Sequence, residues 1–230
     1  MNKTWITAHS GCEGRPDNSL EFLDFALSLP VDAVEVDVCR RADGVLVLSH
    51  NQPPEAGAPT LASAFAHLAG RPAVWMNCDL KEDGLEAPVL DAAEHAGVVD
   101  RLIYSGNVDL GLLRGPGGLA ARVRVYLNLE RVADLPESPE QAAREGNARL
   151  SQKTRSVIAR LRVYRFACLN LYYRFCTGQT AAALTEAGIP FSAWTPDEPD
   201  MIRTLCRLGA ANITTRRPVE ALKAREEAAR

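Results

Sequence analysis

Short apolar runs and longer amphipathic stretches alternate along this chain. The apolar runs are rich in β-branched and aromatic residues, and they predict eight strands, at residues 5–9, 33–38, 73–80, 101–105, 123–129, 166–171, 190–194 and 211–214. The stretches between them predict helices at 19–29, 61–68, 87–96, 108–113, 139–160, 179–187 and 199–208, and a last helix at 219–229. Glycines stand just after several of these helices, where C-cap glycines are expected: Gly70, Gly97, Gly188 and Gly209.

The strict alternation of strand and helix predicts an α/β fold with a parallel sheet. Eight strand–helix units in 230 residues favour a closed TIM (β/α)8 barrel that forms a single domain over residues 1–230. An open doubly wound sheet is the alternative, but no Gly-x-Gly-x-x-Gly sequence follows a strand. One additional strand interrupts the alternation. Asp43-Gly44 predicts a hairpin turn that returns residues 45–48 beside the second strand, with His50 at the end.

The amino-acid composition of the chain limits the kinds of partner that the protein is expected to bind. Hydrophobic residues make up 47% of the chain, charged residues 24%, and the net charge is -3, as in a soluble globular protein without the basic excess of a nucleic-acid-binding protein. No apolar run reaches the length of a transmembrane helix, and the residues before the first predicted strand contain no apolar segment of signal-peptide length, so we expect no secretory signal. The six cysteines are scattered without zinc-ligand spacing, so we expect free thiols and a cytoplasmic location.

Two carboxylates in the second predicted strand give the first indication of chemistry. Glu35 and Asp37 are two residues apart in an apolar strand, so both side chains point to the same face. Two like charges there would be costly to bury without a partner, and a divalent cation with hard oxygen ligands would offset that cost. His9 and His50 end neighbouring predicted strands, and they suggest proton transfer around an anion held by the metal.

The third predicted strand adds Asp79 and Lys81, again two residues apart on one face. Active sites of (β/α)8 barrels lie at the C-terminal ends of the strands, so six ionisable residues are expected to meet on one rim: His9, Glu35, Asp37, His50, Asp79 and Lys81. Two readings of Asp79 stay open at this point, a metal ligand or a simple salt-bridge partner of Lys81.

Several short motifs then resemble, in order and spacing, the signature of glycerophosphodiester phosphodiesterases. The N-terminal motifs are His9-Ser-Gly11, Pro16-Asp-Asn-Ser19, Glu35-Val-Asp37, Asp43-Gly44 and Ser49-His50-Asn51. Pro59-Thr-Leu61, Asp79-Leu-Lys81, Ala193-Trp-Thr195 and Ile213-Thr-Thr-Arg-Arg-Pro218 follow. Each motif is weak by itself, whereas the ordered set, which spans most of the chain, is specific.

The resemblance implies metal-dependent hydrolysis of a small-molecule glycerophosphodiester, such as glycerophosphocholine, to an alcohol and glycerol 3-phosphate. It implies that a divalent cation, Mg²⁺ or Ca²⁺, is bound by Glu35, Asp37 and Asp79. It also implies that His9 and His50 act as general acid and base, that Lys81 lies near the phosphate and that Trp194 helps to wall the site. Neither the resemblance nor the sequence decides the oligomeric state.

The chain departs from the family pattern at several places, among them the shorter Asp79 where the family has a metal-binding glutamate. The arginine that follows the first family histidine is Ser10 here, and we expect Arg15 in the next loop to reach the phosphate instead. The loop between His50 and Pro59 is short, which predicts a more open site. Two alternatives therefore remain beside the phosphodiesterase: a phospholipase D-like enzyme acting on lysophospholipid headgroups, and a non-catalytic phosphate-binding protein.

Overall fold

Eight parallel strands close into a barrel in the computed structural model of this protein, which describes residues 3–115, 117–132 and 156–229. The strands are β1 (Trp5–Ala8), β2 (Ala33–Arg40), β3 (Leu46–Leu48), β4 (Trp75–Leu80), β5 (Leu102–Gly106), β6 (Arg124–Asn128), β7 (Cys168–Tyr172), β8 (Phe191–Trp194) and β9 (Asn212–Thr215). Their order is β1-β9-β8-β7-β6-β5-β4-β2, and pairing of β1 with β2 closes the ring. The predicted TIM barrel is confirmed.

The remaining strand, β3, lies outside the ring as the predicted hairpin partner of β2. It pairs antiparallel with β2, with Val38 opposite Leu48. The turn between them contains Gly44 at a φ of 87°, a conformation that glycine adopts without strain. The hairpin therefore returns the chain to the C-terminal end of β2, and His50 follows directly.

Helices cover the outside of the barrel: α1 (Leu20–Ser28), α2 (Leu61–Ala69), α3 (Glu86–His95), α4 (Gly178–Glu186), α5 (Pro199–Arg207) and α6 (Pro218–Ala228). Hydroxyl caps begin several of them, as where Oγ of Ser19 accepts a hydrogen bond from the backbone N–H of Phe22. The predicted helix at 108–113 is wrong. That segment forms only a 3-10 turn, Leu110–Leu113, and Gly115, Gly117 and Gly118 follow it, so its helix propensity is low.

The predicted helix at 139–160 lies mostly outside the described residues, and residues 156–160 of it are helical. Among the described residues, no helix has the length and apolar character needed to cross a lipid bilayer.

Successive side chains of a barrel strand point alternately toward the surrounding helices and into the barrel interior. Val34, Val36 and Val38 of β2 are fully buried in one hydrophobic cluster with residues of the surrounding helices, such as Phe22 and Phe65. The residues between them on β2 point into the barrel instead. In the β2–β4 register, Glu35 pairs with Asn77 and Asp37 pairs with Asp79, so the inward positions of both strands are polar.

Candidate active site

A cavity of about 270 Å³ opens at the C-terminal ends of the barrel strands. It is lined by His9, Glu35, Asp37, His50, Asn77, Asp79, Lys81, Ser105, Asn128, Asn170, Trp194, Thr195 and Thr214. Every site residue predicted from the sequence except Arg15 is among them. A larger cleft of about 410 Å³ lies around Trp75 and Arg124, and Asp100 is the single carboxylate among its described lining residues. The acid–base groups therefore gather at the mouth where (β/α)8 barrels carry out chemistry.

Three carboxylates form the centre of this cavity. Oxygens of Glu35, Asp37 and Asp79 all lie within 4.8 Å of one another. A hydrogen-bond donor from a neighbouring segment holds one oxygen of each: the backbone N–H of Ser10 donates to Glu35 over 3.1 Å, and Oγ of Ser105 donates to Asp79 over 2.7 Å. Asp37 accepts from Nδ2 of Asn18 over 2.8 Å. These hydrogen bonds fix the three side chains, whose oxygens form a compact cluster.

Lys81 places a positive charge beside two of these carboxylates. Its Nζ lies 2.7 Å from Oδ1 of Asp37, and it also pairs closely with Asp79. Burial by itself would lower the pKa of Lys81, but the nearby charges of Asp79 and Asp37 outweigh burial and raise that pKa above its usual range. The lysine is therefore an ammonium ion, and the two readings of Asp79 are compatible: it belongs to the acidic cluster and pairs with Lys81.

The two inward carboxylates of β2 differ in proton affinity because their partners differ. Burial raises the pKa of Glu35 to about 7, helped by the negative charges of Asp37 and Asp79 and opposed by His9 and the Ser10 N–H. Burial would also raise the pKa of Asp37, but Lys81, Asn18 and His50 outweigh it and lower that pKa below its usual range. At neutral pH Asp37 is ionised, whereas Glu35 is close to its midpoint.

Each of the two histidines lies near a different carboxylate of the cluster. Nδ1 of His9 lies 2.9 Å from the backbone carbonyl oxygen of Ser10 and 3.8 Å from Oε2 of Glu35. Nδ1 of His50 lies 3.3 Å from Oδ2 of Asp37. Because Nδ1 of each ring faces an oxygen of the protein, Nε2 is the nitrogen that each ring offers to a molecule in the cavity.

The loop after β1 is built to support this arrangement. Ser10 is buried, and its Oγ accepts a hydrogen bond of 2.6 Å from the backbone N–H of Asn18. Oδ1 of Asn18 in turn accepts from the backbone N–H of Asp37 over 2.9 Å, so its amide bonds both the backbone and the carboxylate of that residue. Asn18 has a φ of 54°, which asparagine tolerates better than most residues. Ser10 and Asn18 thus link His9 to the acidic cluster.

The structure does not bring Arg15 to the cavity. Its guanidinium carbon lies 3.2 Å from the centre of the Phe25 ring on α1, in a cation–π contact, and Nη1 lies 3.4 Å from the carbonyl oxygen of Glu13. The expectation that Arg15 replaces the missing family arginine therefore has no support in this geometry. The loop turns at Gly14, which has a φ of 77°, and so directs Arg15 onto the helix rather than toward the barrel mouth.

Uncharged polar residues complete the cavity, and the sequence interpretation did not identify them: Asn77, Ser105, Asn128, Asn170, Thr195 and Thr214. Three buried polar atoms of cavity residues have no hydrogen-bond partner among the described residues, namely Oδ1 of Asn77, Oδ1 of Asn170 and Nε1 of Trp194. An amide in an otherwise apolar strand, as in residues 168–172, is the signal that could have found them.

Comparison with known proteins gives matches among solved structures. No protein-family model matches the chain, and no curated protein sequence does. A putative glycerophosphoryl diester phosphodiesterase from Agrobacterium tumefaciens aligns with a TM-score of 0.76 at 18% identity over 98% of each chain. One from Silicibacter pomeroyi aligns with a TM-score of 0.73 at 20% identity, over 98% of this chain and 94% of that one.

A third neighbour is a phosphodiesterase from Oleispira antarctica, solved in complex with the product sn-glycerol-3-phosphate. It aligns with a TM-score of 0.69 at 19% identity over 97% of both chains. The likeness in each case covers nearly the whole chain, whereas identity stays low. The resemblance predicted from the motifs is thus confirmed in three dimensions, and this chain has the barrel fold of the glycerophosphodiester phosphodiesterases.

Proposed function

We propose that this protein is a glycerophosphodiester phosphodiesterase. It hydrolyses diesters such as glycerophosphocholine to an alcohol and glycerol 3-phosphate, with the help of a divalent cation and two histidines. One observation supports this most directly: a single cavity brings three clustered carboxylates together with Lys81, His9 and His50. A neighbour with the same fold, named as a phosphodiesterase, binds sn-glycerol-3-phosphate.

The acidic cluster suits a divalent cation on chemical grounds. Its three carboxylates offer hard oxygen ligands within 4.8 Å of one another, as Mg²⁺ and Ca²⁺ prefer. Oδ1 of Asn77, in register with Glu35, is a further buried oxygen without a partner. Glu35, Asp37 and Asp79 would hold the cation. When bound, it would neutralise charge on the phosphate and act as a Lewis acid.

The other cavity residues account for proton transfer and charge. One imidazole takes a proton from the attacking hydroxyl group, and the other gives a proton to the leaving alkoxide oxygen; their contacts with protein oxygens orient both rings for this task. The ammonium of Lys81 stabilises negative charge on the phosphoryl oxygens as the transition state forms. The attacking hydroxyl belongs either to water or to a neighbouring hydroxyl of the substrate. The free state of all six cysteines agrees with a cytoplasmic enzyme.

A second candidate is a phospholipase D-like activity on lysophospholipid headgroups. Aromatic rings continue outward from the cavity: the ring centre of Tyr172 lies 5.5 Å from that of Trp194, and Phe175 lies 5.8 Å from Tyr172. Such a surface could contact the apolar part of a larger substrate.

A product assay separates these functions. Purified protein is incubated with glycerophosphocholine or with lysophosphatidylcholine, in Mg²⁺, in Ca²⁺ or in EDTA, and the released compounds are identified. The proposal predicts choline and glycerol 3-phosphate from glycerophosphocholine, with the activity abolished by EDTA. Preferential cleavage of lysophosphatidylcholine would favour the second candidate. Absence of hydrolysis with either substrate would contradict both and favour a phosphate-binding protein without catalytic activity.

A further inference from the structure

Two unpaired polar atoms lie on neighbouring strands of the cavity wall. Oδ1 of Asn170, on β7, is a hydrogen-bond acceptor, and Nε1 of Trp194, on β8, is a donor. Both atoms are buried, and neither has a partner within residues 3–115, 117–132 and 156–229, although both residues line the cavity. Buried polar atoms in proteins are nearly always hydrogen-bonded, so an unpaired acceptor and an unpaired donor beside the same cavity call for a ligand.

Strand register explains why the two atoms face the same cavity. β7 pairs with β8 so that Asn170 stands opposite Ser192 and Tyr172 opposite Trp194. Asn170 and Trp194 are therefore displaced by two residues on adjacent strands, which puts them on the same, inward face. Nδ2 of Asn170 donates to Oδ1 of Asn128 over 2.9 Å. This bond fixes the amide and leaves its oxygen available.

The pair matches one chemical group in particular. A hydroxyl group can donate to Oδ1 of Asn170 and accept from Nε1 of Trp194 at the same time. A phosphate oxygen without a proton can only accept, and a quaternary ammonium or a methyl group can form neither conventional hydrogen bond. The cavity residues that β6, β7 and β8 contribute within the described chain are uncharged, and in the ring order β7 stands across the barrel from β2 and its carboxylates.

We propose that Asn170 and Trp194 form a hydroxyl-recognition subsite, which selects diesters whose alcohol portion carries a free hydroxyl group. This inference rests on the proposed function, since the phosphate must be held on the opposite wall by Lys81 and the acidic cluster. A diester whose alcohol portion is a polyol occupies both the charged wall, with its phosphate, and the subsite, with its hydroxyl group. A simple alkyl phosphate fills only the charged one and leaves the acceptor and the donor unpaired, which is the usual basis for rejecting an analogue that lacks a hydroxyl.

Binding, rather than turnover, tests the subsite, because a substrate hydroxyl could also take part in the reaction. Isothermal titration in saturating Ca²⁺ compares sn-glycerol 3-phosphate with n-propyl phosphate, which has the same phosphate and no hydroxyl. The variants Asn170→Ala and Trp194→Phe each remove one of the unpaired atoms. Tyr164→Phe is the control, because Tyr164 is not among the cavity residues and the change keeps both unpaired atoms. Circular dichroism and urea unfolding confirm that each variant is folded.

The wild type and Tyr164→Phe should bind glycerol 3-phosphate at least about tenfold more tightly than propyl phosphate, and each subsite variant should reduce that ratio to about twofold or less. Equal affinities in the wild type, or a ratio that either subsite variant leaves unchanged, would overturn the subsite and leave the phosphodiesterase standing if glycerophosphocholine is still hydrolysed. If neither phosphate binds and no diester is hydrolysed, the proposed function and the subsite both fail.

Discussion

Nζ of Lys81 lies 2.7 Å from Oδ1 of Asp37. Asp37 is on β2 and Lys81 follows β4, so this ion pair joins two strands at the barrel mouth. The ammonium also pairs with Asp79 and so stands beside two members of the acidic cluster. The lysine therefore compensates the negative charge of the acidic cluster, and in the proposed function its ammonium would also meet the phosphate.

Replacing Lys81 with methionine tests this dual role. In EDTA, the free energy of unfolding should fall by about 3 kcal/mol, because the change leaves largely buried carboxylates without their counterion. Ca²⁺ should then stabilise the variant more than it stabilises the wild type, and kcat should fall at least about a hundredfold. Urea unfolding with and without Ca²⁺, together with a choline-release assay, measures these effects.

Lys223→Met is the matched control for that experiment. Lys223 pairs with Glu220 over 3.1 Å on the exposed side of α6, where an ion pair contributes little. This variant should retain the wild-type stability and kcat. Equal behaviour of the two lysine variants would show that the charge of Lys81 has no special part in the site.

The raised pKa of Glu35 makes a prediction about stability and pH. The pKa is about 7 in the folded protein and 4.5 as its ordinary value, so the folded state favours the protonated carboxyl. In EDTA, the wild type should therefore lose stability relative to Glu35→Gln as pH rises from about 4.5 to about 7, by about 3 kcal/mol in total. Urea unfolding of both proteins across this pH range measures the difference. A difference that does not change with pH would contradict the assignment.

Each histidine should be needed for turnover. His9→Ala and His50→Ala should each lower kcat by a factor of about 10²–10⁴, the usual contribution of one positioned proton-transfer group. His95→Ala is the control, since His95 lies at the exposed end of α3 with its Nδ1 near the carbonyl oxygen of Asp91. Wild-type turnover in either cavity variant would exclude that histidine from proton transfer.

Arg15 provides a test of the opposite kind. Because its guanidinium packs on Phe25, Arg15→Ala should leave kcat and KM for glycerophosphocholine within about twofold of the wild type. It should lower the free energy of unfolding by about 1 kcal/mol, through loss of the cation–π contact. A large rise in KM without loss of stability would instead place Arg15 on the substrate.

Most of the fold and the charged half of the site could be predicted from the sequence because both depend on local patterns. Apolar runs of period two mark the strands, and acids such as Glu35 and Asp79 stand out inside them. Barrel topology then determines where the ends of those strands meet. The prediction of a helix at 108–113 was wrong because it gave more weight to a short apolar pattern than to the glycines that follow that pattern.

The uncharged half of the site depends on contacts between distant segments. Asn128 and Asn170 are 42 residues apart, and the pairing of β6 with β7 brings their amides together. Neither is ionisable, so neither stood out as a candidate. Arg15 was misplaced for a related reason: the path of its loop depends on turns at Gly11 and Gly14, and the motif shows only that an arginine is nearby.

The central claim is that Glu35, Asp37 and Asp79 together bind one divalent cation between the two histidines. Anomalous diffraction from crystals soaked in Mn²⁺ tests it most directly, because the map locates the ion without assumptions about activity. The account predicts one strong peak in the cavity, within coordination distance of a carboxylate oxygen from each of the three residues. A cavity without a peak, or an ion bound away from these carboxylates, would contradict it.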